Sequence, residues 1–234
     1  MRATLKALAA LLLYPDEEMR ALMPEVASIL RAPGLPPAAT EAAALAEMLA
    51  IAPPLEAEGR YVGLFDGVPS LSLHLFEHVH GDSRDRGAAM AALVEDYRAA
   101  GMELAAEELP DFLPVFLEFA AMRPEAEARD LLGEIADILA LLATRLRARG
   151  EAGYAAVLAT LGALASRPAD MEAVVARIAE DVPDATPEAL DAAYEEAPVT
   201  FMEPAAPNQP CPKAAEIVAR IEAAAPHRAR GDAP

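Results

Sequence analysis

Between residues 124 and 149, Leu131, Leu132, Ile135, Ile138, Leu139, Leu142 and Leu146 recur at steps of one, three and four. That spacing lines one side of a 3.6-residue helix, whereas strand side chains alternate between two faces. The same period appears elsewhere: Met19, Leu22, Met23, Val26, Ile29 and Leu30 make a second inner face, and Met90, Leu93, Val94 and Tyr97 a third. Breakers separate these faces at Pro15, Pro33-Gly34, Pro53-Pro54, Gly81 and Gly150. Proline draws its predecessor out of the α region, and glycine closes a helix without steric cost. With no internal repeat and no convincing strand, the pattern predicts an all-α fold, a single-domain bundle of about nine to eleven helices.

The building materials agree. Apolar residues make up 54% of the 234, but aromatics only 5%, with no Trp. The core must therefore be Leu, Ala, Val and Met, and unbranched side chains of this kind lose little freedom in a helix. The first helix should end near Tyr14, and Asp16 should cap a second that runs to about Arg31. Helices are expected over 38–51, 55–65, 70–79, from Asp82 or Ser83 to about Ala100, and over 110–122. Others are expected over 124–149, 152–165, 171–180 and 186–196. From Pro198 onward, Pro204, Pro207, Pro210 and Pro212 preclude regular structure. The expected division is a helical domain over 1–197 and a Pro-rich, partly disordered tail over 198–234, with a short helix at 213–225.

Charge narrows the partners. Thirty-eight acidic residues against 19 basic give a net charge of -19, which repels nucleic acid and anionic membranes. The single cysteine, Cys211, allows no internal disulfide and no multi-cysteine zinc site. The apolar start at Leu5, Leu8, Leu11, Leu12 and Leu13 runs into Tyr14-Pro15-Asp16-Glu17-Glu18 rather than a small-residue cleavage site. No apolar run approaches the roughly 18 residues that a spanning helix needs. A cytoplasmic protein that does not insert into membranes is expected.

Function should lie between Tyr61 and Phe119, where three of the four histidines stand within seven positions. On a helix over 70–79, Leu71, Leu73, Leu75, Phe76 and Val79 would be buried, leaving Ser70, His74, Glu77 and His78 as a polar stripe that ends at Gly81. On a helix over 110–122, Phe112, Leu113, Val115, Phe116, Leu117 and Phe119 would be inward, and Asp111, Pro114 and Glu118 would share one stripe. Pro110 and Pro114 require that helix to begin late, near Pro114, after a tighter turn. Arg84 and Arg86 fall near a helix start, where the dipole disfavours cations by about 0.3–1 kcal/mol. An offsetting carboxylate is expected from Asp82, Asp85 or another helix. The two stripes would border a groove, its wall made by Leu73, Leu75, Phe76 and Phe112, suited to a peptide with apolar anchors and a basic or amide character. His74-x-x-Glu77-His78 also matches the H-x-x-E-H pattern of zinc peptidases, which requires both histidines on one helix face and a third ligand.

Ser72 to Gly87 reads SLHLFEHVHGDSRDRG, and Glu108-Leu109-Pro110-Asp111-x-Leu113-Pro114 leads on to Leu117-Glu118-Phe119. This block resembles the NarJ-type chaperones of respiratory nitrate reductase, the molybdenum cofactor assembly (delta) proteins. Weaker likeness extends to Leu11-Leu12-x-Tyr14-Pro15, to the run from Ile138 to Leu146, and to Asp184-x-Thr186-Pro187-x-Ala189-Leu190-Asp191. The resemblance implies the TorD-like chaperone fold and a cytoplasmic, non-enzymatic role. The family binds the N-terminal peptide of the reductase catalytic (alpha) subunit and holds it open for molybdenum cofactor and iron–sulfur insertion before membrane docking. It keeps no stably bound cofactor and is not part of the finished enzyme. The alpha–beta complex and cofactor-delivery proteins are further implied partners. Carried onto this sequence, the matching positions are His74, Glu77, His78, His80, Arg84, Asp85, Arg86, Pro110, Asp111, Pro114 and Glu118.

Overall fold

Asp16 caps its helix as expected: its carboxylate accepts the Met19 amide at 2.7 Å and starts α2 (Glu17–Leu30). A computed structural model describes residues 1–80, 85–104 and 108–180 of the chain. Before α2 comes α1 (Arg2–Ala10), and after it α3 (Ala38–Ile51) and α4 (Pro54–Tyr61), which runs into a π-helical turn over Val62–Asp66. A 3-10 turn (Pro69–Leu71), the short α5 (Glu77–His80) and α6 (Asp85–Ala99) follow. The remainder is α7 (Leu113–Met122), α8 (Glu125–Glu134), α9 (Ala136–Ala148), α10 (Ala152–Leu164) and α11 (Met171–Glu180). Among the described residues all regular structure is helical, with one isolated antiparallel bridge, His74 to Phe112. The expected helix over 186–196, the boundary at 197/198 and the helix over 213–225 lie outside the described residues.

Helix α10 is the centre of the core. Tyr154, Ala155, Ala156, Val157, Leu158 and Leu161 are fully buried, between α3 and α9. Alanines let these helices approach closely, and at Gly153 a side chain would stand 3.0 Å from Leu45 Cβ. Helix α1 packs on α2 and α7, with Leu5 and Leu8 fully buried. Arg20 closes the C-terminus of α3, donating to the Leu49 and Ala52 carbonyls that the helix leaves unpaired. Leu22, expected to face inward, is half exposed.

Two expected helices are broken. The one over 124–149 divides at Ile135 (φ -101°, ψ 9°), where α8 gives way to α9. Just before the break, at Gly133, any side chain would meet Ser166 Oγ at 2.7 Å, so residues 166–167 sit directly against the glycine. The one over 70–79 does not form. After Leu71 the chain has no helix through His74, turns at Leu75 and Phe76, and enters a short helix at Glu77, and the Leu75 and Leu113 amides donate to the Asp111 and Leu73 carbonyls at 2.9 and 2.8 Å. Leu71, Leu73 and Leu75 are buried at every second position, as in a strand, with Ser72 also buried and His74 partly exposed between them. Helix α7 does begin late, with Pro114 inside its first turn and Phe112 extended before it.

Candidate functional site

Because residues 73–75 and 111–113 are hydrogen-bonded to each other, the groove expected between two helices is closed. Leu73 and Leu75 belong to the main core rather than to a groove wall, and Phe76 and Phe112 are half-buried beside it. The opening lies on the other side of the signature block. There Phe65, Asp66, Val68, Pro69, Ser72, His74, Glu77 and Arg86 line a cleft of about 570 Å³.

Asp111 is the pin of this site. It is 0% exposed, and its carboxylate accepts the Phe76 amide at 3.1 Å, lies 3.3 Å from His74 Nδ1 and is approached by Arg86 at 3.8 Å. The expected stripe of Asp111, Pro114 and Glu118 therefore does not exist: Asp111 and Pro114 are buried and only Glu118 is exposed. Arg86 also donates to Glu77 Oε1 at 3.2 Å, so the carboxylate expected to offset its position near a helix start is supplied by α5 and by Asp111. The His74 ring stacks at a tilt on Phe112, with centroids 5.3 Å apart. Thus α5, α6 and the residues before α7 meet at His74, Glu77, Arg86 and Asp111.

His78 turns inward, 6% exposed, with Nε2 2.8 Å from the Ser72 carbonyl. A carbonyl only accepts, so Nε2 carries the proton. Burial pushes the imidazole below its ordinary 6.5; the Ser72 carbonyl opposes this, Arg145 and Arg177 reinforce it, and Glu77 opposes it. Arg177 of α11 donates to the His78 carbonyl and Arg145 of α9 to that of Ser70 at 2.7 Å, so two further helices hold the segment. The peptidase pattern loses its premise here: His74 is in an extended segment, and the two imidazoles face Asp111 and Ser72. Among the described residues no three His, Cys, Asp or Glu side chains converge to hold a metal ion. Arg84, and the side chains of His80 and Asp85, lie outside the described residues.

Sequence reasoning missed Phe65, Asp66, Val68, Pro69 and Ser72 as lining residues. Asp66 ends the π-helical turn, a feature frequent at functional sites, but nothing in its local sequence marks the turn. The cleft carries the carboxylates of Asp66 and Glu77 and the guanidinium of Arg86, with Phe65, Val68 and Pro69 beside them. That arrangement suits a cationic segment with apolar side chains. Beyond Asp66, Tyr14 stacks edge-on against Tyr61 at 5.7 Å. Partial desolvation raises the Tyr14 pKa, as do Glu58, to which its hydroxyl hydrogen-bonds, and then Asp66 and Asp16.

The family model described as "Nitrate reductase delta subunit" matches residues 32–159. The chain is 48% identical over 148 residues to the nitrate reductase molybdenum cofactor assembly chaperone NarJ of Escherichia coli (strain K12), covering 63% of this chain and 62% of that protein's length. It is 37% identical over 199 residues to the probable chaperone of the same description, NarW, from that strain, covering 85% and 84%. A probable NarJ of Bacillus subtilis (strain 168) is 31% identical over 158 residues, covering 68% of this chain and 85% of the relative.

Proposed function

The chain belongs to the nitrate reductase delta subunit family, and from that premise we propose that it is an assembly chaperone for a respiratory nitrate reductase. Acting in the cytoplasm, it binds the N-terminal peptide of the catalytic (alpha) subunit. It keeps that subunit competent for molybdenum cofactor and iron–sulfur insertion before membrane docking. It holds no cofactor stably, catalyses no reaction and leaves the finished enzyme. No described helix is long and apolar enough to span a membrane.

One observation carries the reading. Ser72, His74, Glu77 and Arg86, from the block that carries the resemblance, line a cleft together with Asp66, and buried Asp111 holds the block from behind. Glu77 and Asp66 meet the cationic groups of the peptide, the His74 ring, held by Asp111, offers a hydrogen-bonding nitrogen, and Arg86 positions Glu77. Asp111 acts through Arg86 and His74, and His78 through Ser72. Pro114 shapes the approach to α7, while exposed Glu118 contributes charge outside the cleft.

The test is calorimetric titration with the N-terminal peptide of the nitrate reductase alpha subunit, at pH 6 and pH 8. Saturable binding should weaken about tenfold in Glu77→Gln, a change of about 1.4 kcal/mol. No heat of binding at either pH to a folded sample would refute the proposal.

A further inference from the structure

Among the exposed large apolar side chains, four lie in α4, next to it in sequence, or against it. Ile51 is 85% exposed, Leu55 82%, Tyr14 43% and Val62 42%. Along α4 and the π-helical turn, Leu55, Gly59 and Val62 recur at helical spacing and reach Asp66, which lines the cleft. Side chains built at Gly59 and Gly63 would meet nothing within 4 Å, so the face is open along its length. Solitary exposed apolar residues are normal on a protein surface, but an aligned set that leads into a cleft marks a contact surface.

The charges choose the occupant. Tyr14 sits among Glu58, Asp66 and Asp16, and Glu56 is exposed on the same helix. Arg60, the basic residue of α4, is turned away toward Glu151 and the Tyr154 ring. A second copy docked face to face would bring these carboxylates against their own images, between two chains each carrying -19. A cationic partner meets no such repulsion.

We propose that the exposed face formed by Tyr14, Leu55, Gly59 and Val62 is a docking surface, continuous with the cleft at Asp66, for a cationic amphipathic segment of the client. This rests on the chaperone reading and extends it. The bound segment is read in two places: by its cationic groups at the cleft and by its apolar side chains along α4.

Fluorescence anisotropy with a labelled N-terminal peptide of the nitrate reductase alpha subunit tests this on the full chain. Leu55→Asp and Val62→Asp, both at exposed positions, should keep the wild-type unfolding temperature and weaken binding about tenfold or more. A peptide with its Lys and Arg side chains neutralised should lose a similar factor, and wild-type affinity should fall as salt rises from about 0.05 to about 0.5 M. Binding that survives both α4 variants but is weakened by Glu77→Gln would overturn the docking face and leave the chaperone reading intact. Failure of the wild type to bind any form of the peptide would overturn both. A concentration-dependent dimer of the wild type that Leu55→Asp abolishes would assign the face to self-association instead, and would also overturn the proposal.

Discussion

Removing the Asp111 carboxylate should cost stability before it costs binding. The group is fully buried, accepts the Phe76 amide at 3.1 Å, faces His74 Nδ1 at 3.3 Å and stands 3.8 Å from Arg86. A hydrogen bond to a charged group contributes about 1.5–3 kcal/mol, and breaking a buried ion pair costs about 3–5 kcal/mol. Arg86 is only partly buried and keeps Glu77, so the lower end applies. Asp111→Ala should therefore lose about 3 kcal/mol, or about 6–12 °C in unfolding temperature for a domain of this size. Asp111→Asn retains one acceptor oxygen and should lose about half as much. Urea unfolding followed by the helical circular dichroism signal measures both. A loss under about 1 kcal/mol for Asp111→Ala would show that the carboxylate does not pin the block.

Three further outcomes follow from the same geometry. His78 is held neutral, with its pKa below the unfolded 6.5, so the unfolded chain takes up the proton first. Stability should be full above about pH 6.5 and decline as pH falls from there toward the folded pKa. Urea midpoints from pH 5 to 8 should show that slope, and His78→Gln should flatten it. Gly153→Ala should destabilise by about 1 kcal/mol or more despite a better helix former, because the new methyl meets Leu45 at 3.0 Å, whereas Gly59→Ala, in open space, should gain about 0.5–1 kcal/mol. Thermal unfolding reads the two opposite signs. Tyr97→Phe removes the 2.8 Å bond to the Pro110 carbonyl and should cost about 1 kcal/mol, again read from thermal unfolding.

Helices that end at a chemical stop were legible in the sequence. Asp16 starts α2, Pro53 follows α3, and Gly150, at φ +80°, separates α9 from α10 as a left-handed residue that glycine adopts freely. The signature segment was misread because Leu71-Ser72-Leu73-His74-Leu75 satisfies two templates. Apolar residues at every second position mark an extended chain, but a dense apolar run also fits a buried helix, and only tertiary pairing with 111–113 decides. Helical spacing puts Asp111 on an exposed stripe because its burial depends on partners 35 and 37 positions away, Phe76 and His74. Of the residues expected to bind peptide, His74, Glu77, Arg86 and Asp111 lie together, through a geometry that helical periodicity alone does not contain, whereas His78 turns inward and Glu118 stands apart on α7.

The bridge between 73–75 and 111–113 ties together the two ends of the excursion that carries α6. That helix rests on its own small cluster of Tyr97, Val115 and Phe119, apart from the main core. Such an arrangement makes α6 a candidate cooperative unit of its own, able to open while the stapled base and the α3–α10–α9 core stay folded. Its amides should exchange with deuterated solvent through an opening of lower free energy than global unfolding, with α10 protected to the full value. Since Arg86 at the start of α6 holds Glu77, each opening would also free that carboxylate, so the open population of α6 is also the population in which the cleft is rearranged.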